Sequence, residues 1–295
     1  MKIFNFLIIT LLKTLSYIPL RILYGVSTGF YYLLYYVIGY RKKVVFDNLK
    51  NSFPEKSKLE IISIAKGFYR YFADMIIEII KSHSMSVEDF KKHVTFKNID
   101  EINRIYDEGK SIVLLTTHYG NWEWWVYAPY FLKHKLLIVY LPLENKLFDK
   151  YMNSLRTKFG GIMLPLKETF RTVLDHHNRK EQTLTWICAD QTARWNNKFW
   201  VKFLNQETSF FTGGERIAKK TNQAVYFLDV QKEGRGKYVL EFKEYSSNPQ
   251  GHDDNRISID YAKDLEKLIL KKPEYWLWSH KRWKHKRQED LPVNE

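Results

Sequence analysis

The sequence predicts an α/β protein: a mostly parallel central sheet flanked by helices, with an N-terminal helical membrane anchor. Three observations carry that prediction. After about residue 45, short apolar runs rich in β-branched and aromatic residues alternate with longer helical stretches, the pattern of strands buried on both faces and joined by helices. Residues 3–40 are apolar in character, interrupted by charge only at Lys13 and Arg21. The chain of 295 residues is nevertheless polar on average, with 27% charged residues and a mean hydropathy of −0.41. That excludes a polytopic membrane protein, because each crossing needs ~20 mostly apolar residues. A hydrophobic content of 45% with only 8 Pro and 13 Gly excludes disorder and low-complexity architecture.

The anchor is expected over residues 1–44 and a second, catalytic-sized unit over 45–295. Ile22 to Tyr40 is uncharged for 19 residues, about the lower limit for crossing a bilayer core. On a helical wheel, Tyr24, Tyr31, Tyr32, Tyr35, Tyr36 and Tyr40 share one half. Leu23, Val26, Phe30, Leu33, Leu34, Val37 and Ile38 share the other. Such a helix suits a membrane interface, or packing on a protein domain, as well as it suits a crossing. A buried helical hairpin is a further alternative. A cleaved leader is not expected, since no small-residue site comes between the apolar run 3–12 and Lys13. If the segment anchors the chain, Arg41, Lys42 and Lys43 favour the cytoplasmic side for the residues C-terminal to them.

Helices are expected over 58–83, 99–109, 122–133, 146–159, 168–179, 212–221 and 258–271. Strands are expected at SIVLLT (111–116), LLIVY (136–140), TLTWICA (183–189), AVYFLDV (224–230) and YVLEF (238–242). The last two, separated by KEGRGK, read as an antiparallel hairpin. Net charge is +14, and +12 of it lies in two end segments, 1–46 and 271–287. Such clusters fit an anionic partner: a lipid headgroup, a phosphorylated substrate, an acidic carrier protein or nucleic acid. The single Cys188, inside an apolar run, excludes an internal disulfide and reads as a core residue.

The chemistry centres on Thr116-Thr117-His118-Tyr119-Gly120-Asn121-Trp122-Glu123. His118 comes directly after a strand, where open α/β sheets place ligands. Gly120 permits a turn, Asn121 can cap the next helix, and Glu123 in its first turn can fold back toward the imidazole. A carboxylate on one ring nitrogen fixes the tautomer and leaves the other to take a hydroxyl proton. The spacing equally allows a hydrogen-bonded strand-end His118 and a Glu123 that only offsets the helix dipole. Metal catalysis is not expected, since no H-E-x-x-H spacing or compact third ligand accompanies His118.

THYGNWEWW resembles the H-x4-D/E motif of membrane-associated glycerolipid acyltransferases, in the form typical of the late lipid A biosynthesis (lauroyl/myristoyl) acyltransferases. Other blocks resemble that family in the same order: YRKKVVFDNLKNSFPEKS; Ser154-Leu155-Arg156 and then Phe159-Gly160-Gly161; Ala189-Asp190-Gln191; Thr212-Gly213-Gly214-Glu215-Arg216; and PEYWLWSHKRWK at 273–284. Here Thr192-Ala193-Arg194 comes after the Asp-Gln pair, where relatives often have an acid and a glycine.

The resemblance implies transfer of a fatty acyl group from an acyl carrier protein thioester, or from acyl-coenzyme A, to a hydroxyl of a lipid A precursor at the bacterial inner membrane. The catalytic domain would face the cytoplasm. His118 would be the general base and Glu123 its orienting acid. Asn121, Arg156, Asp190, Gln191, Lys281 and Arg282 would serve the substrates, with Arg156 or backbone N–H groups near Gly120 receiving the oxyanion. No cofactor and no metal are implied. Another membrane lipid as acceptor is the nearest alternative. A nucleic-acid-binding module would explain the charge but neither the apolar N-terminus nor the His118 loop.

Overall fold

The computed structural model describes residues 2–294. Within these residues, nine strands form a seven-stranded sheet and a two-stranded ribbon, accompanied by ten α-helices. The N-terminal helices are α1 (Lys2–Ser16), α2 (Leu20–Tyr32), α3 (Lys42–Ser52), α4 (Lys58–Ser82) and α5 (Val87–Lys91). Next along the chain are β1 (Val94–Phe96), α6 (Ile99–Asp107), β2 (Ile112–Thr116), β3 (Lys135–Tyr140), α7 (Lys146–Arg156), β4 (Ile162–Pro165), α8 (Thr169–Asn178) and β5 (Thr183–Cys188). The remainder comprises β6 (Trp200–Phe203), β7 (Gln206–Ser209), α9 (Gly213–Thr221), β8 (Ala224–Gly234), β9 (Lys237–Ser246) and α10 (Arg256–Lys271).

The sheet order is β1-β9-β8-β2-β5-β3-β4. From β8 to β4 every neighbouring pair is parallel, while β8 and β9 form the expected antiparallel hairpin. All five residues of β2 are buried. Since alternate side chains point to opposite faces, both faces of the sheet at β2 are covered. The strands β6 and β7 form a separate antiparallel ribbon, turning through Leu204 and Asn205, both in the left-handed region.

Two expectations are corrected. The segment 122–133 is not an α-helix but a 3-10 helix, Trp122–Tyr130. Pro129 lies inside it and has no N–H to donate. The N-terminal run is not one membrane-crossing helix: no single helix among the described residues is long and apolar enough to cross a bilayer. Pro19 separates α1 from α2. A π-helical turn, Leu33–Ile38, then ends at Gly39, and with Gly39 and Arg41 both at positive φ the chain bends 92° into α3.

The helix α2 packs on α4. Its buried stripe, continued through the π turn, is Leu20, Leu23, Ser27, Tyr31, Leu34 and Tyr35, so the protein-facing side mixes the tyrosine and aliphatic halves of the wheel. Polar contacts fix this docking. Ser27 Oγ donates to Asp74 at 2.5 Å, and Arg235 in the β8–β9 turn meets the same carboxylate. Outside this stripe, Phe6, Leu7 and Leu11 of α1 and Ile22, Val26, Tyr36, Val37 and Ile38 of α2 and the π turn remain exposed.

The fully buried Glu78 of α4 joins four parts of the chain. Its carboxylate accepts from Tyr24 of α2 (2.9 Å), Asn121 of the His118 loop (2.7 Å) and Tyr238 of β9 (2.8 Å). Burial pushes this carboxyl above its ordinary range, and Lys232 and the three hydrogen bonds counter that only in part. Removing the carboxylate strands three donors, each costing about 1–3 kcal/mol when buried without a partner. Glu78→Ala is therefore expected to lower the unfolding free energy by about 3 kcal/mol or more, read as a shift of the urea midpoint. A loss below about 1 kcal/mol would show that the hub is not structurally important.

Candidate active site

Strand register brings the reacting groups together. β2 and β5 are parallel neighbours with Thr116 opposite Cys188, so His118 and Asp190, each two residues further on, emerge side by side at the carboxyl edge. The His118 backbone N–H donates to Asp190 Oδ2 at 2.8 Å, and the ring Nδ1 meets Asp190 Oδ1 at 2.6 Å. Trp276 Nε1 donates to Asp190 Oδ2 at 2.9 Å. Burial alone would raise the pKa of Asp190. The His118 charge and hydrogen bonds, with that from Trp276, outweigh it and hold the carboxyl below its ordinary range.

An ionised carboxylate only accepts hydrogen bonds, so Nδ1 carries the proton and Nε2 has the free lone pair in the neutral ring. Nε2 lies 3.1 Å from the Gln191 amide nitrogen, and the ring abuts the edge of Trp122, with centroids 4.9 Å apart. The orienting contact expected of Glu123 is thus made by Asp190. Glu123 was the acid nearest in sequence, but the parallel pairing of β2 with β5 delivers a nearer one in space.

Glu123 faces Arg156 instead. The guanidinium, on the last residue of α7, donates from Nε to Oε2 at 2.9 Å and from Nη2 to Oε1 at 2.5 Å. Trp122 Nε1 adds a bond at 3.2 Å. Burial would raise the Glu123 pKa, but Arg156 outweighs it and holds the carboxyl below its ordinary range. This two-bond geometry leaves Arg156 Nη1 uncommitted while fixing the guanidinium plane.

The loop carrying His118 is clamped from outside. Gly120 has φ +60°, and a Cβ there would lie 2.8 Å from Val230 Cγ1, so both backbone and space require glycine. Leu277 N donates to His118 O at 3.1 Å, Gly120 N to Tyr275 O at 3.0 Å, and Tyr71 OH to Gly120 O at 2.6 Å. The C-terminal basic–aromatic segment, expected at a lipid or carrier surface, therefore buries Trp276 and Trp278 as structural supports.

Three expected substrate residues stand elsewhere. Asn121 is fully buried, its Oδ1 capping Trp124 N and its Nδ2 committed to Glu78. Arg282 is buried over the Phe210 ring at 4.2 Å, and burial pushes its guanidinium down to about 10, still charged at neutral pH. Lys281 is exposed. Neither Lys281 nor Arg282 lines the cavity at His118; their backbone carbonyls accept from the Thr192 hydroxyl. His280, pushed down to about 4 by burial, accepts from Thr192 N at 3.1 Å. Trp276 and His280 were not expected at the site as individual residues, although both lie in the closing motif. Cys188 has its thiol pushed up to about 12 by burial, which removes it as a thiolate nucleophile.

His118, Glu123, Arg156 and Gln191 line a cavity of about 660 Å³ whose other walls include Ile138, Leu143, Phe148, Met152 and Trp186. A base-ready imidazole opening into an apolar cleft at the carboxyl edge of a parallel sheet is suited to activating a hydroxyl beside an apolar chain. Residues 1–285 match the family model described as bacterial lipid A biosynthesis acyltransferase. A lipid A biosynthesis acyltransferase of Haemophilus influenzae is 23% identical over 285 residues, covering 95% of this chain and 90% of the relative. Lipid A biosynthesis acyltransferase 2 of Shigella flexneri is 27% identical over 118 residues, 39% of this chain and 36% of that protein. The chain belongs to the bacterial lipid A biosynthesis acyltransferase family.

The Glu123–Arg156 pair has a pH signature. Its carboxyl is depressed in the folded state, so its stabilising contribution is fully present above the unfolded Glu value of about 4.3 and is lost as pH falls through the lower folded value. Glu123→Gln is expected to cost about 1–3 kcal/mol at pH 7, since it leaves a half-buried guanidinium unpaired. The deficit should shrink as the wild type protonates below pH of about 4, measured by denaturation across pH. A pH-independent difference would count against the ion pair.

Proposed function

We propose that the protein moves a fatty acyl chain from an acyl carrier protein thioester to a hydroxyl of a lipid A precursor, on the cytoplasmic face of a bacterial inner membrane. The observation that carries this reading is the Asp190–His118 bond, with Nε2 turned to an apolar cavity. The acceptor hydroxyl attacks the thioester carbonyl carbon as His118 Nε2 takes its proton. Asp190 stabilises the imidazolium. Arg156 Nη1, held in place by Glu123, donates to the developing oxyanion. Collapse of the intermediate breaks the C–S bond, and the departing thiolate takes the proton from His118, leaving ester and free carrier thiol.

The exposed apolar residues of α1, α2 and the π turn support attachment without a crossing: these helices would lie along the interface, with Lys13 and Arg21 near lipid phosphates. The excess of cations on the chain supports an acidic carrier as donor over neutral surfaces. A coenzyme A thioester or another lipid acceptor would react by the same chemistry at this cavity.

Purified protein with acyl carrier protein thioester and lipid A precursor is expected to yield an acylated product by mass spectrometry. His118→Ala and Asp190→Asn should each lower kcat on the order of a thousandfold, with Asp190→Asn retaining bound acceptor. Activity within about tenfold of wild type in His118→Ala would reject the base assignment. Transfer only to a different lipid would reject the acceptor.

A further inference from the structure

A second cavity, of about 860 Å³, adjoins the reacting one, and Val139, Leu166, Ile187 and Phe211 are walls of both. Its chemistry differs. The cavity at His118 runs out along the β3–α7 connection past the exposed Leu141 and Leu143, a surface suited to an acyl chain. The second has Arg194, Lys198 and Arg216 in its wall and, among the described residues, no Asp or Glu. All three cations are exposed, and none has an ion-pair partner among the described residues. Some other surface cations are paired, as in Lys133–Asp107, Arg256–Asp260 and Arg287–Glu207; what sets these three apart is that they share one cavity wall without an acid.

The backbone adds to this field. The helix α9 begins at Gly213, which lines the same cavity, and its first N–H groups have no intrahelical acceptor. A Cβ at Gly213 would run into the Phe211 ring, so glycine lets that ring stand between the two chambers. Below the cations the wall is apolar, with Ile187, Phe199 and Ile217.

We propose that this cavity seats the phosphate-bearing end of the acceptor lipid while the acyl donor occupies the chamber at His118. The proposal rests on the acyl-transfer reading above. Three separate donors and a helix N-terminus match a phosphate monoester, which carries about −1.5 to −2 charge at neutral pH and three acceptor oxygens. An uncharged sugar would gain nothing from their charge. The apolar wall receives the non-polar part of the same molecule, and the shared wall at Phe211 brings an acceptor hydroxyl toward His118 from the side opposite the donor chain.

Binding is tested without turnover, by calorimetry with octyl phosphate, inorganic phosphate and octyl glucoside. The proteins are wild type, Arg194→Gln/Arg216→Gln, and a control, Lys110→Gln/Lys133→Gln, altered at the sheet's amino edge; thermal melts confirm that each is folded. Wild type and control should bind octyl phosphate better than either other probe, and the arginine variant about tenfold more weakly, the loss of one or two charge-assisted bonds. Inorganic phosphate binding as well as octyl phosphate would point to a free-phosphate site and overturn the lipid assignment. Equal binding of octyl glucoside, no binding of octyl phosphate, or an unaffected arginine variant would overturn the anionic site. In the turnover arm, wild type should show a lower KM for a phosphorylated glycolipid acceptor than for its dephosphorylated form, and the arginine variant should lose that preference. If wild type acylates neither acceptor, the acyl-transfer reading fails, while the calorimetry still decides the cavity.

Discussion

One buried carboxylate, Asp190, holds His118 by both backbone and ring, and most of the surrounding architecture keeps that contact in place. A carboxylate without water is costly unless its lone pairs are filled. Here three groups on two residues fill them: the N–H and imidazole of His118 and the indole of Trp276. Each belongs to a segment that is itself fixed elsewhere. The parallel pairing of β2 with β5 sets the spacing, and Trp276 brings the C-terminal segment against the sheet edge.

The carboxylate of the motif itself, Glu123, stands at one remove from the imidazole. Glu123 determines where the Arg156 guanidinium stands, and with it which charge lines the cavity. Two acid–base pairs, His118–Asp190 and Arg156–Glu123, thus stand at one cavity; in the proposed reaction the first would move the proton and the second would stabilise developing charge. Glu78 connects this edge to the N-terminal helices through Tyr24 and Asn121. The position of the apolar surface on α1 and α2 is therefore tied to the position of the reacting loop through buried hydrogen bonds.

The periodic parts of the fold were legible in the sequence. Long amphipathic helices such as α4 and α10, and apolar runs such as β2, β5 and the β8–β9 hairpin, carry their own signal in spacing. The short strands β1 and β4 do not, and the 3-10 helix hides behind a helix-like run of Trp and Tyr. His118 was legible because it lies between a strand and a glycine turn. Its partner was not, because sequence gives the order of strands along the chain but not their order across the sheet. Asp190 lies 72 residues away and is reached only once β2 and β5 are known to be neighbours. The placement of Asn121 and Arg282 inside the fold was not legible for a related reason: polar residues in a motif can be buried as structural groups, and burial is not written in local spacing.

The central claim is that Asp190 fixes the His118 tautomer so that Nε2 presents its lone pair to the cavity. Nitrogen-15 NMR of the His118 ring tests this most directly, comparing wild type with Asp190→Asn at a pH where the ring is neutral. The account predicts a protonated Nδ1 with a slowly exchanging, downfield proton and an unprotonated Nε2, with the proton signal lost or moved upfield in Asp190→Asn. A neutral ring protonated on Nε2 in the wild type, or spectra that do not change with Asp190→Asn, would contradict it.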